Sequence, residues 1–255
     1  MPRPHHSAPI DPLAAFEAPT REWFESSFAG PTDAQAQGWP AIAADEHTLI
    51  CAPTGSGKTL AAFLWCLDRL LTEEPPTDPL ARLRVLYVSP LKALAADIRR
   101  NLMSPIEEAG LPIRVEDRTG DTSATQKKRQ RADPPHILLT TPESLALLLS
   151  YEDAPRMFRG VKRIVVDEIH ALAESKRGDQ LMLALSRLAA LCPDLRRVGL
   201  SATVEDPDAI ARYLARHPDP CHILMADPGP EPDIAMLTTD VAPPWSGGGG
   251  RYAIP

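Results

Sequence analysis

The stretch Ala52-Pro53-Thr54-Gly55-Ser56-Gly57-Lys58-Thr59 constrains this chain more than any other, because only a few folds carry such a turn. It fits the phosphate-cradling pattern G-x-x-x-x-G-K-[ST] once the first position is relaxed to alanine, and the Gly-Ser-Gly-Lys-Thr end holds the chemistry. Closely spaced glycines let successive backbone N–H groups turn inward around anionic oxygens. Lys58 can reach β- and γ-phosphates, and Thr59 can ligate Mg2+. Thr48-Leu49-Ile50-Cys51 reads as a buried strand entering the loop, and the apolar run from Leu60 reads as the helix leaving it.

Further short apolar runs follow, at Arg84 to Ser89, Ile113 to Glu116, His136 to Thr140, Arg163 to Asp167 and Arg197 to Ser201. Helical patterns lie between them, from about Leu91 to Glu108 with Pro105 as a kink and from Leu181 to Leu191; Cys221 to Met225 offers an edge strand. Strands alternating with helices predict an α/β fold, a mostly parallel sheet with helices on both faces. Ligands of such sheets bind beyond the strand C-termini, and the reactive candidates fall there: Pro53, Pro90, Thr141, Asp167 and Ser201. Residues 1–20, rich in proline and small residues, predict a flexible arm. Residues 21–226 make the folded domain, opening with Trp23, Phe24 and Phe28 at helical spacing, and 227–255 read as connector.

Val165-Val166-Asp167-Glu168-Ile169-His170 is the second signal. An apolar strand delivers two carboxylates at its end, one suited to hold Mg2+ and the other to orient or deprotonate an attacking water. Neighbouring residues on a strand point to opposite sides, so a shared site requires the chain to turn at Asp167. His170 is placed to bridge these carboxylates to Ser201-Ala202-Thr203. The Ser201 and Thr203 hydroxyls either cap the following helix or report the state of the site to a neighbouring surface.

A formal net charge of -7 gives no bulk attraction for nucleic acid, so any such binding needs a local groove. Cys51, Cys66, Cys192 and Cys221 lack zinc-like spacing and read as reduced thiols. His5-His6 reads as part of the arm. No apolar run approaches a membrane span and no signal-peptide core follows Met1, which makes the cytoplasm the expected compartment.

In order, these motifs resemble a superfamily 2 helicase, and within it the Lhr (large helicase-related) family, from about Trp23 to His217. Pro31-Thr32 with Gln35, followed by Gly38-Trp39-Pro40, resembles the opening region, in which Gln35 would recognise adenine. The phosphate loop, with Thr54, Gly55, Ser56, Gly57, Lys58 and Thr59, stands as motif I. Ser89-Pro90-Leu91-Lys92 resembles motif Ia, Arg118-Thr119-Gly120-Asp121 the motif after it, and Thr140-Thr141-Pro142-Glu143 motif Ib. Asp167-Glu168-Ile169-His170 stands as motif II and Ser201-Ala202-Thr203 as motif III.

The resemblance implies the first RecA-like P-loop NTPase domain of an ATP-dependent 3′-to-5′ helicase acting in DNA repair, with ATP and Mg2+ as cofactors and single-stranded DNA or RNA as partner. Lys58, Asp167, Glu168 and His170 would serve catalysis, and Thr59 with Asp167 the metal. Pro90, Lys92, Arg118, Thr119, Gly120, Thr141, Pro142 and Glu143 would line the strand, and Ser201 and Thr203 would couple the two sites. Arg99 and Arg100 would add charge. The Lys127 to Arg131 patch is either a nucleic-acid contact or a mobile surface helix, and Lys176-Arg177-Gly178 would border the strand's exit. A second RecA-like domain and further C-terminal domains, whose motifs do not occur in these 255 residues, would complete the motor. Two other readings stay open: a non-catalytic nucleic-acid-binding or partner-docking module, and a small-molecule kinase.

Overall fold

The computed structural model describes residues 11–90, 98, 102–103, 106–108, 110–215 and 219–227. Their elements in chain order are α1 (Ala18–Ser27), α2 (Asp33–Ala43), β1 (His47–Cys51), α3 (Lys58–Thr72), a 3-10 turn (Pro79–Ala81), β2 (Val85–Val88), β3 (Val115–Arg118), α4 (Ala124–Ala132) and β4 (Ile137–Thr140). There follow α5 (Pro142–Ser150), α6 (Ala154–Phe158), β5 (Arg163–Val166), α7 (Ile169–Ala173), α8 (Lys176–Leu191), β6 (Arg196–Ser201), α9 (Pro207–Leu214) and β7 (Cys221–Met225).

The seven strands form one sheet in the order β3-β4-β2-β5-β6-β1-β7, and every pairing is parallel. Parallel strands buried on both faces need apolar side chains at every position. Alternation along each strand then sends Ile50, Tyr87, Val165 and Leu200 into one core layer and Leu49, Leu86, Val88 and Val166 into the other. The first layer is covered by α1, α2 and α3 together with Ile98, Leu102 and Ile106, the buried apolar residues of the helix expected over 91–108. The second is covered by α5 to α9. Each fully buried aliphatic or aromatic side chain contributes about 1.5–3 kcal/mol.

The flexible arm expected over residues 1–20 is corrected for its described part. Leu13 and Phe16 are buried, and Phe16 meets Trp39 and Trp65 edge-on at centroid distances of 5.0 and 5.7 Å. The fully buried Asp68 accepts a hydrogen bond from the Glu17 backbone at 3.1 Å, fastening the segment to α3. Proline content masked two apolar anchors. The strand expected over Ile113 to Glu116 lies at Val115–Arg118.

At the start of β4, His136 Nδ1 accepts the Arg114 backbone N–H at 2.9 Å. Burial, with Arg82, Arg114 and Arg84 nearby, lowers its pKa to about 4. The unfolded chain takes this proton first, near pH 6.5, so stability is intact above that pH and is lost as pH falls toward 4. Because the ring is partly exposed, the loss between pH 7.5 and 5 is expected to be about 1 kcal/mol. Urea unfolding of wild type and His136→Asn at both pH values measures it, and identical pH slopes would remove His136 as the cause.

Candidate functional site

The sheet order sets the geometry of the site. β6 lies between β1 and β5, so the end of β6 at Ser201 separates the loop after β1 from the carboxylates after β5. The Ser201 carbonyl accepts Ala52 N–H at 3.1 Å and the Val88 carbonyl accepts Asp167 N–H at 2.8 Å, which extends the sheet to the edge of the site.

Gly55 and Gly57 hold φ of +82° and +80°, in the left-handed region that favours glycine. Gly57 has a second reason: a Cβ there would lie 2.5 Å from Gln35 Nε2. Thr32 and Gln35 form a reciprocal capping box at the start of α2. From it, Thr32 Oγ1 donates to the Ser56 carbonyl at 2.7 Å and Gln35 Nε2 to the Gly57 carbonyl at 3.4 Å. Gln35 is therefore a buried buttress of the loop. Each of its amide atoms retains one hydrogen-bonding valence, an acceptor and a donor, the pair that an adenine edge requires.

Lys58 Nζ donates to the carbonyls of Ala52 at 2.5 Å and Pro53 at 2.8 Å, at the mouth of the loop. Burial lowers the pKa of the ammonium, opposed by the carboxylates of Glu168 and Asp167. Ser56 Oγ is buried without a hydrogen-bond partner, and Thr54 is exposed beside it. Thr59 follows Lys58 in the first turn of α3.

Asp167 is buried; its Oδ1 accepts Glu168 N–H at 2.9 Å and its Oδ2 accepts the Tyr87 hydroxyl. The chain reverses one residue later than expected, at Glu168, with φ 47° and ψ 41°. That conformation costs a non-glycine residue roughly 1–2 kcal/mol, a strain typical of functional sites. Glu168 Oε2 lies 3.4 Å from His170 Nε2. His170 Nδ1 accepts Ala202 N–H at 3.3 Å and lies 3.3 Å from Ser201 Oγ. An amide N–H can only donate, which assigns the ring proton to Nε2, facing Glu168.

The structure thus brings Lys58, Thr59, Asp167, Glu168, His170 and Ser201 to one edge of the sheet. Thr203 is exposed on the following loop. Neither hydroxyl caps the next helix, because Asp206 Oδ1 accepts Ala209 N–H at 2.8 Å and does so itself. Among the described residues no cluster of three or more His, Cys, Asp or Glu side chains suits a metal. The hydroxyl of Thr59 and the carboxylate of Asp167 are hard oxygen donors, and they suit Mg2+, which is held by one or two protein groups together with phosphates.

The expected strand-binding row divides. Pro90, Thr119, Gly120, Thr141, Pro142 and Glu143 follow β2, β3 and β4, three neighbouring strands, along the same edge. Arg118 does not join them: it is 1% exposed, and its guanidinium donates to the Lys127 carbonyl at 2.9 Å beneath α4. Strand alternation turns it inward. The Thr119 amide is spent on Thr122 Oγ1 at 2.9 Å, and the Thr141 hydroxyl caps α5. Glu143 is paired with Arg177 at 2.5 Å, and Arg177 also donates to the Pro90 carbonyl at 2.9 Å. Arg177 therefore laces three motifs together, and the bond holds the Glu143 carboxyl below its usual pKa.

Lys92, Arg99 and Arg100 lie outside the described residues. The Lys127 to Arg131 patch forms much of α4 and is largely occupied internally: Lys127 bonds the Gly120 carbonyl, Arg129 pairs with Glu116 and Arg131 with Asp153. The sequence places Arg177 at the border of the strand's exit without its bonds to Glu143 and Pro90, and it gives Tyr87 no role at the site. The signal for Tyr87 was a lone hydroxyl within an otherwise apolar strand, since buried tyrosine O–H groups find partners.

Comparison with known proteins fits this geometry. A model of the family described as DEAD/DEAH box helicase matches residues 32–210. The chain is 50% identical over 216 residues to a Mycolicibacterium smegmatis protein described as Lhr helicase/probable uracil glycosylase, covering 80% of this chain and 14% of that protein. It is 40% identical over 232 residues to the ATP-dependent helicase Lhr-Core of Methanocaldococcus jannaschii, covering 87% of this chain and 27% of that one. Among solved structures, Mycobacterium smegmatis helicase Lhr bound to ssDNA and AMP-PNP superposes with a TM-score of 0.77 at 47% identity, over 86% of this chain and 28% of that chain. The chain therefore spans about a seventh to a quarter of the length of these relatives. No described helix is long and apolar enough to cross a membrane.

Proposed function

Because the chain belongs to the DEAD/DEAH box helicase family, we propose that it is the first RecA-like, ATP-binding motor domain of an Lhr-type helicase. In this reading it works in the cytoplasm on single-stranded nucleic acid and is completed by a second RecA-like domain and further C-terminal domains. The observation that carries the reading is the convergence of Lys58, Asp167, Glu168 and His170 around the end of β6. Backbone amides around Gly55 and Gly57 cradle the phosphates of ATP, and Lys58 exchanges its carbonyl partners for phosphate oxygens. Thr59 and Asp167 would hold Mg2+, which neutralises charge on the phosphates when bound. Glu168 orients and deprotonates the attacking water, and Gln35 meets the adenine edge.

His170 links this chemistry to β6. Its Nε2–H faces Glu168 while Nδ1 receives the Ala202 amide, so a shift of Glu168 toward the γ-phosphate is felt at Ser201 and, along the loop, at Thr203. The strand would run over Pro90, Thr119, Gly120 and Thr141 to Glu143. Contacts there address the sugar-phosphate backbone and the N-terminus of α5, which do not read sequence. The 3′-to-5′ direction and a role in DNA repair enter this proposal only through the resemblance of the motifs to the Lhr family.

The test is binding of a fluorescent ATP analogue with Mg2+. Wild type is expected to bind it, and Lys58→Ala to lose about tenfold to a hundredfold in affinity through the lost charged contacts to phosphate. Equal binding by both proteins would overturn the reading.

A further inference from the structure

β2 is Val85-Leu86-Tyr87-Val88, fully buried, and the Tyr87 hydroxyl is its one polar side-chain atom. Packing alone would be served by phenylalanine. The ring lies against Phe63 at a centroid distance of 5.3 Å, and Phe63 belongs to α3, the helix that begins at Lys58. In register, Tyr87 pairs with Val165, two residues before Asp167, so its long side chain reaches the end of the neighbouring strand. There the hydroxyl donates to Asp167 Oδ2.

Asp167 Oδ1 is held independently by the Glu168 amide at 2.9 Å. A carboxylate bonded at both oxygens from two directions cannot turn, yet each oxygen retains a free lone pair. Groups that bond a metal-binding carboxylate from behind fix its orientation, and losing one typically weakens metal affinity by about 10- to 100-fold.

We propose that Tyr87 is a positioning residue, holding the Asp167 carboxylate in the orientation that meets Mg2+ brought by the nucleotide. Because its ring also packs on Phe63 of α3, Tyr87 ties the carboxylate to the helix that carries Thr59, the other residue that would hold the metal. The inference rests on the reading of Asp167 as the metal's protein partner.

The experiment is Tyr87→Phe in this chain, which removes one oxygen and keeps the packing. Binding of a fluorescent ATP analogue is titrated against Mg2+, and repeated in EDTA. The Mg2+ concentration at half-maximal binding is expected to rise about tenfold in the variant, with affinity in EDTA unchanged. A merely structural hydroxyl would weaken binding equally in Mg2+ and EDTA, and that result, like an unchanged Mg2+ midpoint, overturns the inference while leaving the motor-domain reading intact. Failure of wild type to bind nucleotide in Mg2+ would overturn both.

Discussion

In a protein joined to its second motor domain, Glu168→Gln is expected to lower ATP turnover by about 10^2- to 10^4-fold, the usual contribution of a positioned general base. Affinity for ATP is expected to change little. Glutamine keeps the shape of glutamate and can still accept from His170 Nε2, which lies 3.4 Å from the native carboxylate, so the left-handed turn and the contact with β6 survive. Only the capacity to take a proton is lost. Single-turnover hydrolysis measured beside equilibrium binding separates the two quantities. Undiminished hydrolysis would move the water-activating role elsewhere and would favour a binding module over a motor.

The second large effect comes from outside the chain. Among the described residues, the charged groups that oppose the burial of Lys58 are the carboxylates of Glu168 and Asp167. In the proposed reading Lys58 is the cation that the described site offers to the phosphates, which leaves charge building on the γ-phosphate undercompensated. Arginines delivered from an opposing domain typically raise such rates by about 10^3- to 10^5-fold. Turnover by the isolated chain is therefore expected to be slow and little stimulated by single-stranded DNA, rising by that factor when the second domain is attached. Robust strand-stimulated turnover by the isolated chain would show that it needs no opposing arginine.

Where local chemistry determines the structure, the sequence was informative. The glycines around Ser56, the apolar runs and the Asp-Glu pair at a strand end each have few physical solutions, so the parallel sheet and its reactive edge followed from them. What stayed hidden depends on which way a side chain faces. Arg118 reads as a cation beside a nucleic-acid motif, yet its position on β3 turns it under α4, and the Lys127 to Arg131 run reads as a patch although Glu116 and Asp153 lie opposite it only in space. Leu13 and Phe16 lay in a proline-rich stretch that resembles a loose arm, and only their burial, with Phe16 packed on Trp39 and Trp65, reveals them as anchors. Arg177 and Tyr87 act across elements that are distant in sequence, which periodicity cannot detect.

β1 is the first of the described strands, but its partners in the sheet are the last two described, β6 and β7. The contact between His47 and Arg197 alone closes a loop of 150 residues. Such long-range pairing is slow, because chain entropy is lost before contacts repay it. During synthesis the phosphate loop therefore emerges early on a strand with nothing to pair with, and it is fixed in place only after the rest of the sheet has been made. The nucleotide pocket is thereby a late product of folding, and a nascent chain stopped before β6 would have the complete loop sequence but no rigid cradle for phosphate.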